Sequence, residues 1–179
     1  MKGIEGVKDA RAELLNFFAA RVRVMFKDQG YSAQEIDAVL AVNPATVLEV
    51  PARLQAVRAF AAMAEAETLA AANKRIGNIL KKSDLALGDV EEARLVEDAE
   101  KALFAALVEV EPKVAGAYAQ GAYTDVLTML APMKAPVDQF FEDVMVNAED
   151  IDLRKNRLAL LARLHATMNQ VAELSRLAN

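Results

Sequence analysis

Apolar side chains recur every three or four residues along almost the whole of this chain. No segment alternates apolar and polar residues over the length that a strand needs, and alanine, the best helix former, is abundant. Such spacing places the apolar residues of a helix on one face, where they pack against other helices. The chain is therefore predicted to be all-α, a helical bundle of about seven or eight helices.

The first helix is expected to begin at Asp9, which can cap it, and to run to about Gln29, with Gly30 at its C-terminal end. One side of this helix is apolar and is expected to face the core. That side comprises Leu14, Leu15, Phe18, Val22, Met25 and Phe26.

Other helix ends follow from capping and breaking residues. Ser32 and Glu35 form the pattern of a capping box at the start of a second, short helix. Pro51 fits the first turn of a third helix, because its missing amide hydrogen costs nothing there. Helices continue to about Lys82, and the segment 83–90 is predicted to be a loop.

The second half is predicted to hold a long helix from about Glu91, interrupted near Pro112, and shorter helices after Gly121 and Pro136. A final long helix is expected from about Asp150. The predicted core of this half comprises Phe104, Leu107, Val126, Leu127, Leu130, Phe140, Phe141, Val144, Leu160, Leu161, Leu164, Met168 and Val171.

The 179 residues suffice for one domain with a substantial core. We expect a flexible N-terminal extension at 1–8 and a single helical domain at 9–179. Segments without Asp, Glu, Lys or Arg reach only 11 residues, at 38–48 and 114–124, which is too short to span a membrane. The first residues lack the apolar core of a secretory signal, so a cytoplasmic location is expected.

The chain has no cysteine and a single histidine, His165. These counts exclude thiolate metal sites, disulfides, cysteine nucleophiles and multi-histidine metal sites. The glycines are scattered and form no phosphate-binding loop. His165 lies beside leucines on its helix, which is typical of a packed or partly exposed residue. We therefore predict no catalytic residue, no metal site and no cofactor in this chain.

The charge is unevenly distributed along the chain. Residues 1–83 carry 12 Lys and Arg against 9 Asp and Glu, whereas residues 84–179 carry 9 against 17. The two halves thus differ in sign, +3 against −8, within a net charge of −5. A polyanion is expected to prefer the basic half, 9–83, over the acidic half, 84–179.

The strongest basic pattern lies in one helix of the first half. Lys74, Asn78, Lys81 and Lys82 fall at helical spacing, with Arg75 beside Lys74, so one side of this helix presents several cations and an amide. Two readings remain open. In the first, this side binds phosphates; in the second, its residues pair with carboxylates of neighbouring helices and keep the domain soluble.

The first helix carries a second group of basic residues. Arg21 lies on the apolar stripe and is expected to be half-buried, while Arg23 and Lys27, four residues apart, share a more exposed face.

Four segments carry a resemblance to a known family. They are FAARVRVMFKDQGYSAQEIDAVLA (18–41), ANKRIGNIL (72–80), VDQFFEDVMV (137–146) and LRKNRLALLARL (153–164). In this order they resemble the C-terminal, DALR-type anticodon-binding domain of bacterial glycyl-tRNA synthetase beta subunits, over residues 9–179. The Asp-Ala-Leu-Arg string after which the wider family is named is absent, and its nearest fragment is Asp152-Leu153-Arg154.

The resemblance implies a helical anticodon-binding module of an enzyme with two alpha and two beta subunits, which joins glycine to its tRNA using ATP and Mg. In that family the catalytic site belongs to the alpha subunit. The implied partners are therefore the anticodon arm of a glycine-specific tRNA, the rest of the beta subunit and the alpha subunit, with no membrane.

By the same resemblance, the basic positions of two helices are where the anticodon arm is expected. The expected RNA-binding residues are Arg21, Arg23, Lys74, Arg75, Asn78, Lys81 and Lys82. Further candidates are Lys27, Tyr31, Arg154, Asn156 and Arg157, of which the last three fit a structural role equally well. Tyr31 and Phe26 are planar and can stack on a base, although burial is the commoner role for Phe26.

Two other functions are to be weighed against RNA recognition. A structural domain that docks one subunit on another, without RNA contact, is favoured by the negative net charge. A stand-alone helical enzyme lacks the nucleophile, metal-ligand and nucleotide-binding patterns that it would need.

Overall fold

The computed structural model describes the backbone of residues 5–179 and the side chains of residue 10 and residues 13–179. The described chain is all-helical, as predicted, with eight α-helices. The helices are α1 (Glu5–Asp28), α2 (Ala33–Ala41), α3 (Val50–Ala61), α4 (Ala66–Lys81), α5 (Asp98–Ala119), α6 (Tyr123–Thr128), α7 (Lys134–Asp143) and α8 (Ile151–Met168). Short 3₁₀ turns lie at Val47–Glu49, Glu92–Arg94, Ala131–Met133 and Leu174–Leu177.

Capping residues act where the sequence places them. The Ser32 hydroxyl accepts a hydrogen bond from the Glu35 amide at 3.1 Å, and the Ser32 amide donates to the Glu35 carboxylate at 2.7 Å, which confirms the capping box of α2. Pro51 lies in the first turn of α3. Asp150 caps α8 by accepting from the amides of Asp152 and Leu153.

Three predicted helix starts are wrong, the smallest error being that of α7, which begins at Lys134 and not after Pro136. Helix α1 already runs through Asp9, which is therefore not its N-cap, and residues 1–4 of the predicted extension lie outside the described residues. The helix expected from Glu91 begins at Asp98, because Glu97 and Glu100 form the capping box there. Pro112 does not interrupt this helix.

The helices enclose one continuous core. Helix α3 packs on α6 and α2, α4 packs on α8, and α5 packs on α6 and α7. The Leu174–Leu177 turn packs on α4 and α2, which brings the C-terminus against the first half of the chain. Every predicted core residue of the second half is buried except Phe104 and Phe141, which are partly buried. No helix in residues 5–179 has the length and apolar character needed to cross a membrane.

The predicted apolar side of α1 is mostly exposed. Val22 and Phe26 are buried, but Leu14 is 67 % exposed, and Leu15, Phe18 and Met25 are also exposed. The reason is geometric, because α1 has 24 residues whereas the helix it packs on, α2, has only 9. Arg21 on this stripe is exposed rather than half-buried.

Candidate nucleic-acid interface

The basic residues of α4 lie together on the solvent side of this helix. Lys74, Arg75, Asn78, Lys81 and Lys82 are all exposed, and at 3.6 residues per turn they occupy an arc of about 120°. The opposite side of α4 is buried and holds the helix against α8 and the C-terminal turn. We call these five residues the cationic face.

Most of the cationic face has no counter-charge. Among the described side chains, no carboxylate lies within 4.0 Å of the ammonium groups of Lys74, Lys81 or Lys82, although twelve other ion pairs form in the same part of the chain. The guanidinium of Arg75 lies over the ring of Phe141 of α7, 4.1 Å from its centroid. Pairing with carboxylates of neighbouring helices, the second of the two readings, is therefore not seen for these three lysines within the described residues.

A hollow of about 380 Å³ adjoins the cationic face, between α4, α8 and the C-terminal turn. We call it the α4–α8 hollow. Lys74, Asn78 and Lys81 line it from α4, and His165 lines it from α8. Lys74 and Asn78 also line a second, more open depression with Arg75 and Lys82, so that the two concave surfaces share one edge.

The C-terminal wall of the hollow is held by side-chain hydrogen bonds. The Asn73 side chain, which is fully buried, accepts from the Ser175 amide at 3.1 Å. The Asn169 side chain accepts from the Leu174 amide at 2.9 Å and donates to the His165 carbonyl at 2.9 Å. The Glu173 amide donates to the Ala38 carbonyl of α2 at 2.8 Å. This wall is thus tied to three helices.

His165 lines the hollow and is partly buried, which confirms its prediction as a packed or partly exposed residue, although the sequence did not place it beside the basic residues of α4. Its Nε2 lies 3.4 Å from the position that a Cβ would take at Gly77, one turn from Lys74 and Lys81. Partial burial lowers the pKa of His165, the charge of Lys81 lowers it further, and Glu173 opposes both. The net pKa lies below the ordinary 6.5, so the imidazole is neutral at pH 7. The leucines of α8 indicate the burial, whereas the contribution of Lys81 has no signature in α8 because this lysine belongs to α4.

The candidate residues of α1 and the following turn lie apart from the cationic face, since α1 packs on α2. Arg23 forms an exposed ion pair with Asp37 at 2.9 Å, and Arg21 lies over the Phe17 ring. Lys27 is exposed. Tyr31 is partly buried, with the Arg58 guanidinium 4.0 Å from its ring centroid. The structure therefore does not bring the two predicted basic groups into one site.

The three candidates of α8 point into the protein. Asn156 and Arg157 are each 4 % exposed. Asn156 pairs with both backbone groups of Glu91, and Arg157 binds the carboxylate of Glu100 at 2.9 Å. Arg154 donates to the Ala148 carbonyl at 2.8 Å. These residues hold the 83–97 connection and the α7–α8 loop in place, so we assign them structural roles.

Comparison with known proteins gives close relatives of one kind. The chain is 58% identical to the glycine–tRNA ligase beta subunit of Leptothrix cholodnii over 97% of its own length, and 56% identical to that of Thiobacillus denitrificans over 94%. It is also 58% identical to that of Methylobacillus flagellatus over 90%. The chain spans about a quarter of the length of these relatives.

The model of the DALR anticodon binding domain matches residues 69–175. That range contains the cationic face of α4, His165 and the residues that build the C-terminal wall of the hollow, whereas Arg21, Arg23 and Lys27 precede it. The match covers more than half of the chain although the Asp-Ala-Leu-Arg string itself is absent. The chain belongs to the DALR anticodon binding domain family.

Proposed function

We propose that this chain recognises the anticodon arm of a glycine-specific tRNA as part of a glycine–tRNA ligase beta subunit. The observation that carries the proposal is the cationic face, where three lysines without carboxylate partners among the described residues lie inside the segment that matches the family. The names of the close relatives support the choice of glycine.

The cationic face offers the two kinds of contact that RNA recognition requires. Lysine ammonium groups bind phosphates and set the position of the backbone without reading bases. The exposed amide of Asn78 both donates and accepts hydrogen bonds, and the planar guanidinium of Arg75, held over Phe141, offers a surface on which a base can stack.

The remaining parts of the ligase reaction are proposed to reside elsewhere in the enzyme. The chain would supply recognition, while ATP, Mg and glycine would be bound by the alpha subunit of an assembly of two alpha and two beta subunits. The whole enzyme would act in the cytoplasm.

Changing Lys74, Lys81 and Lys82 together to Ala is expected to weaken binding of the anticodon stem-loop by about 50-fold at 0.15 M salt. Each lost phosphate contact removes about 0.7 from the slope of log affinity against log salt for a single strand, and this electrostatic contribution vanishes near 1 M salt. The measurement is a fluorescence-anisotropy titration at several salt concentrations, with a glycine-tRNA stem-loop and an unrelated stem-loop of equal length.

The matched control changes three other lysines to Ala, namely Lys101, Lys113 and Lys134. It alters the net charge by the same amount, but these lysines pair with carboxylates of their own helices. The control should retain affinity and salt slope. Equal losses in both triple variants would show that net charge alone governs binding and would remove RNA recognition from the cationic face.

A docking role is the second candidate, favoured by the exposed apolar face of α1. Phe17 and Val24 are each 62 % exposed, and with Phe18 and Met25 they line an apolar groove of about 680 Å³ that Val47 closes. The occupant we propose is the rest of the beta subunit, because about three quarters of each relative has no counterpart in this chain. Exposed apolar side chains clustered on one face are typical of interaction sites.

Changing Phe17 and Val24 to Asp is expected to leave the melting temperature of the 179-residue chain unchanged, because both side chains are already in water. In an intact beta subunit the same change should expose this domain to limited proteolysis at least about tenfold faster, since burying these two side chains in the interface contributes about 1.5 kcal/mol or more to docking. Unaltered proteolysis would oppose docking. If the 179-residue chain is a dimer and the change makes it monomeric, the apolar face of α1 binds a second copy of the chain.

A further inference from the structure

The α4–α8 hollow lies beside the cationic face and is lined by residues that are far apart in sequence. Two lysines of α4 stand at its rim, His165 of α8 borders it, and the C-terminal turn forms its far wall. We infer that this hollow holds a single unstacked nucleotide of the bound RNA loop, with its phosphate at Lys74 and Lys81 and its base edge at Asn78 and His165. This inference rests on the function proposed above.

The charges of the hollow suit a phosphate at its rim. Lys74 and Lys81 lie seven residues apart, two turns along the same side of α4. The one carboxylate that lines the hollow, Glu173, is paired with Arg176 at 2.6 Å. Arg176 thus offsets this carboxylate, and Lys74 and Lys81 leave the lining of the hollow with a net positive charge.

The uncharged polar groups that line the hollow, those of Asn78 and His165, suit a base edge. Asn78 offers two donors and an acceptor, and a neutral imidazole offers one donor and one acceptor. Within the described part of the chain the His165 imidazole forms no hydrogen bond, since only its backbone carbonyl accepts one, from Asn169, so its ring nitrogens are available to a ligand. Splayed bases are read in this way, by hydrogen bonds to their edges.

The hollow is also the size of a small-molecule site and is largely formed before any ligand arrives. Its volume of about 380 Å³ lies within the 300–1,000 Å³ usual for such sites. Its far wall is fixed by Asn73 and Asn169, both through backbone amides of the C-terminal turn. A pre-formed wall reduces the ordering cost of binding one nucleotide.

The test pairs protein variants with RNA lesions. An abasic nucleotide is placed at each loop position of the glycine-tRNA stem-loop in turn, and each RNA is titrated against the unmodified chain, His165→Ala, His165→Asn and Lys82→Ala. Lys82 is the matched control, because it belongs to the cationic face but does not line this hollow. Melting temperatures are recorded for every variant.

The expected result is that one abasic position weakens binding to the unmodified chain by about tenfold or more, the size of one base contact. With His165→Ala the same lesion should cost less than about twofold, whereas His165→Asn, which keeps a donor and an acceptor, should restore part of the penalty. Lys82→Ala should weaken the binding of all stem-loops alike. It should therefore leave unchanged the set of affinity losses at the abasic positions, which we call the abasic pattern.

The failures of the two proposals are distinguishable. If the intact stem-loop binds specifically and every variant keeps the abasic pattern of the unmodified chain, the hollow holds no base while RNA recognition stands. If the unmodified chain binds the glycine-tRNA and unrelated stem-loops equally, the proposed function itself fails. A lower melting temperature of His165→Ala with an unchanged abasic pattern would make His165 a packing residue only.

Discussion

Replacing Arg157 with Met is expected to lower the free energy of unfolding by about 3–5 kcal/mol, because the change leaves the Glu100 carboxylate buried without its cation. Glu100 is fully buried, and Arg157 also donates to the Met145 carbonyl at 2.7 Å, which loses its partner as well. Urea unfolding followed by circular dichroism measures the effect.

The partner variant and a control complete this experiment. Replacing both members of a buried ion pair lowers stability much less than removing one of them. Introducing Glu100→Gln into the Arg157→Met variant should therefore lower the free energy of unfolding far less than Glu100→Gln does in the unmodified chain. Arg94→Met is the control, since Arg94 forms an exposed ion pair with Glu91. If Arg157→Met instead has little effect on the free energy of unfolding but abolishes stem-loop binding, Arg157 is an RNA-binding residue and not a structural one.

Arg53→Met is expected to lower the free energy of unfolding by about 3–4 kcal/mol, because it removes the donors of several buried acceptors at once. Arg53 is 2 % exposed, and its guanidinium donates to the carbonyls of Gln170 and Val171 at 2.8 and 2.9 Å and to the Tyr118 hydroxyl at 2.9 Å. It also lies 4.6 Å from the centroid of the Tyr123 ring. Thermal and urea unfolding both report the loss.

Lysine should not rescue this position, because an ammonium group cannot reproduce the planar fork that reaches acceptors on both sides. Arg23→Met, which breaks an exposed ion pair, should cost less than about 1 kcal/mol and serves as the control. If Arg53→Lys is as stable as the unmodified chain, the planar guanidinium of Arg53 is not needed to hold the C-terminal segment against α3.

Local chemistry accounts for the features that were predicted correctly. The capping box of α2, the proline at the start of α3 and the Asp150 cap of α8 each depend on residues within a few positions of one another. The cationic face is likewise a property of one helix, because 3.6 residues per turn suffice to place Lys74 and Lys81 on one side. These features could be predicted because each is determined within one or two helical turns.

The wrong helix starts have equally local causes that the pattern did not resolve. Glu97 caps α5, although Ser, Thr, Asp and Asn are the usual capping residues, so the boundary was predicted too early. The exposure of the apolar face of α1, by contrast, has no local cause. Its stripe of apolar residues predicts a buried face, but only the length of the neighbouring helix determines how much of that stripe is covered.

The helical class, most of the helix ends, the family and the lysines of α4 follow from the residues and their spacing. Three contacts do not: Arg157 with Glu100, 57 residues away, Arg53 with Gln170, 117 residues away, and His165 beside Lys81. Helical periodicity specifies which side of a helix is buried, but the partners of the buried side chains depend on how the helices pack. A hollow formed by three elements therefore has no signature in any one of them.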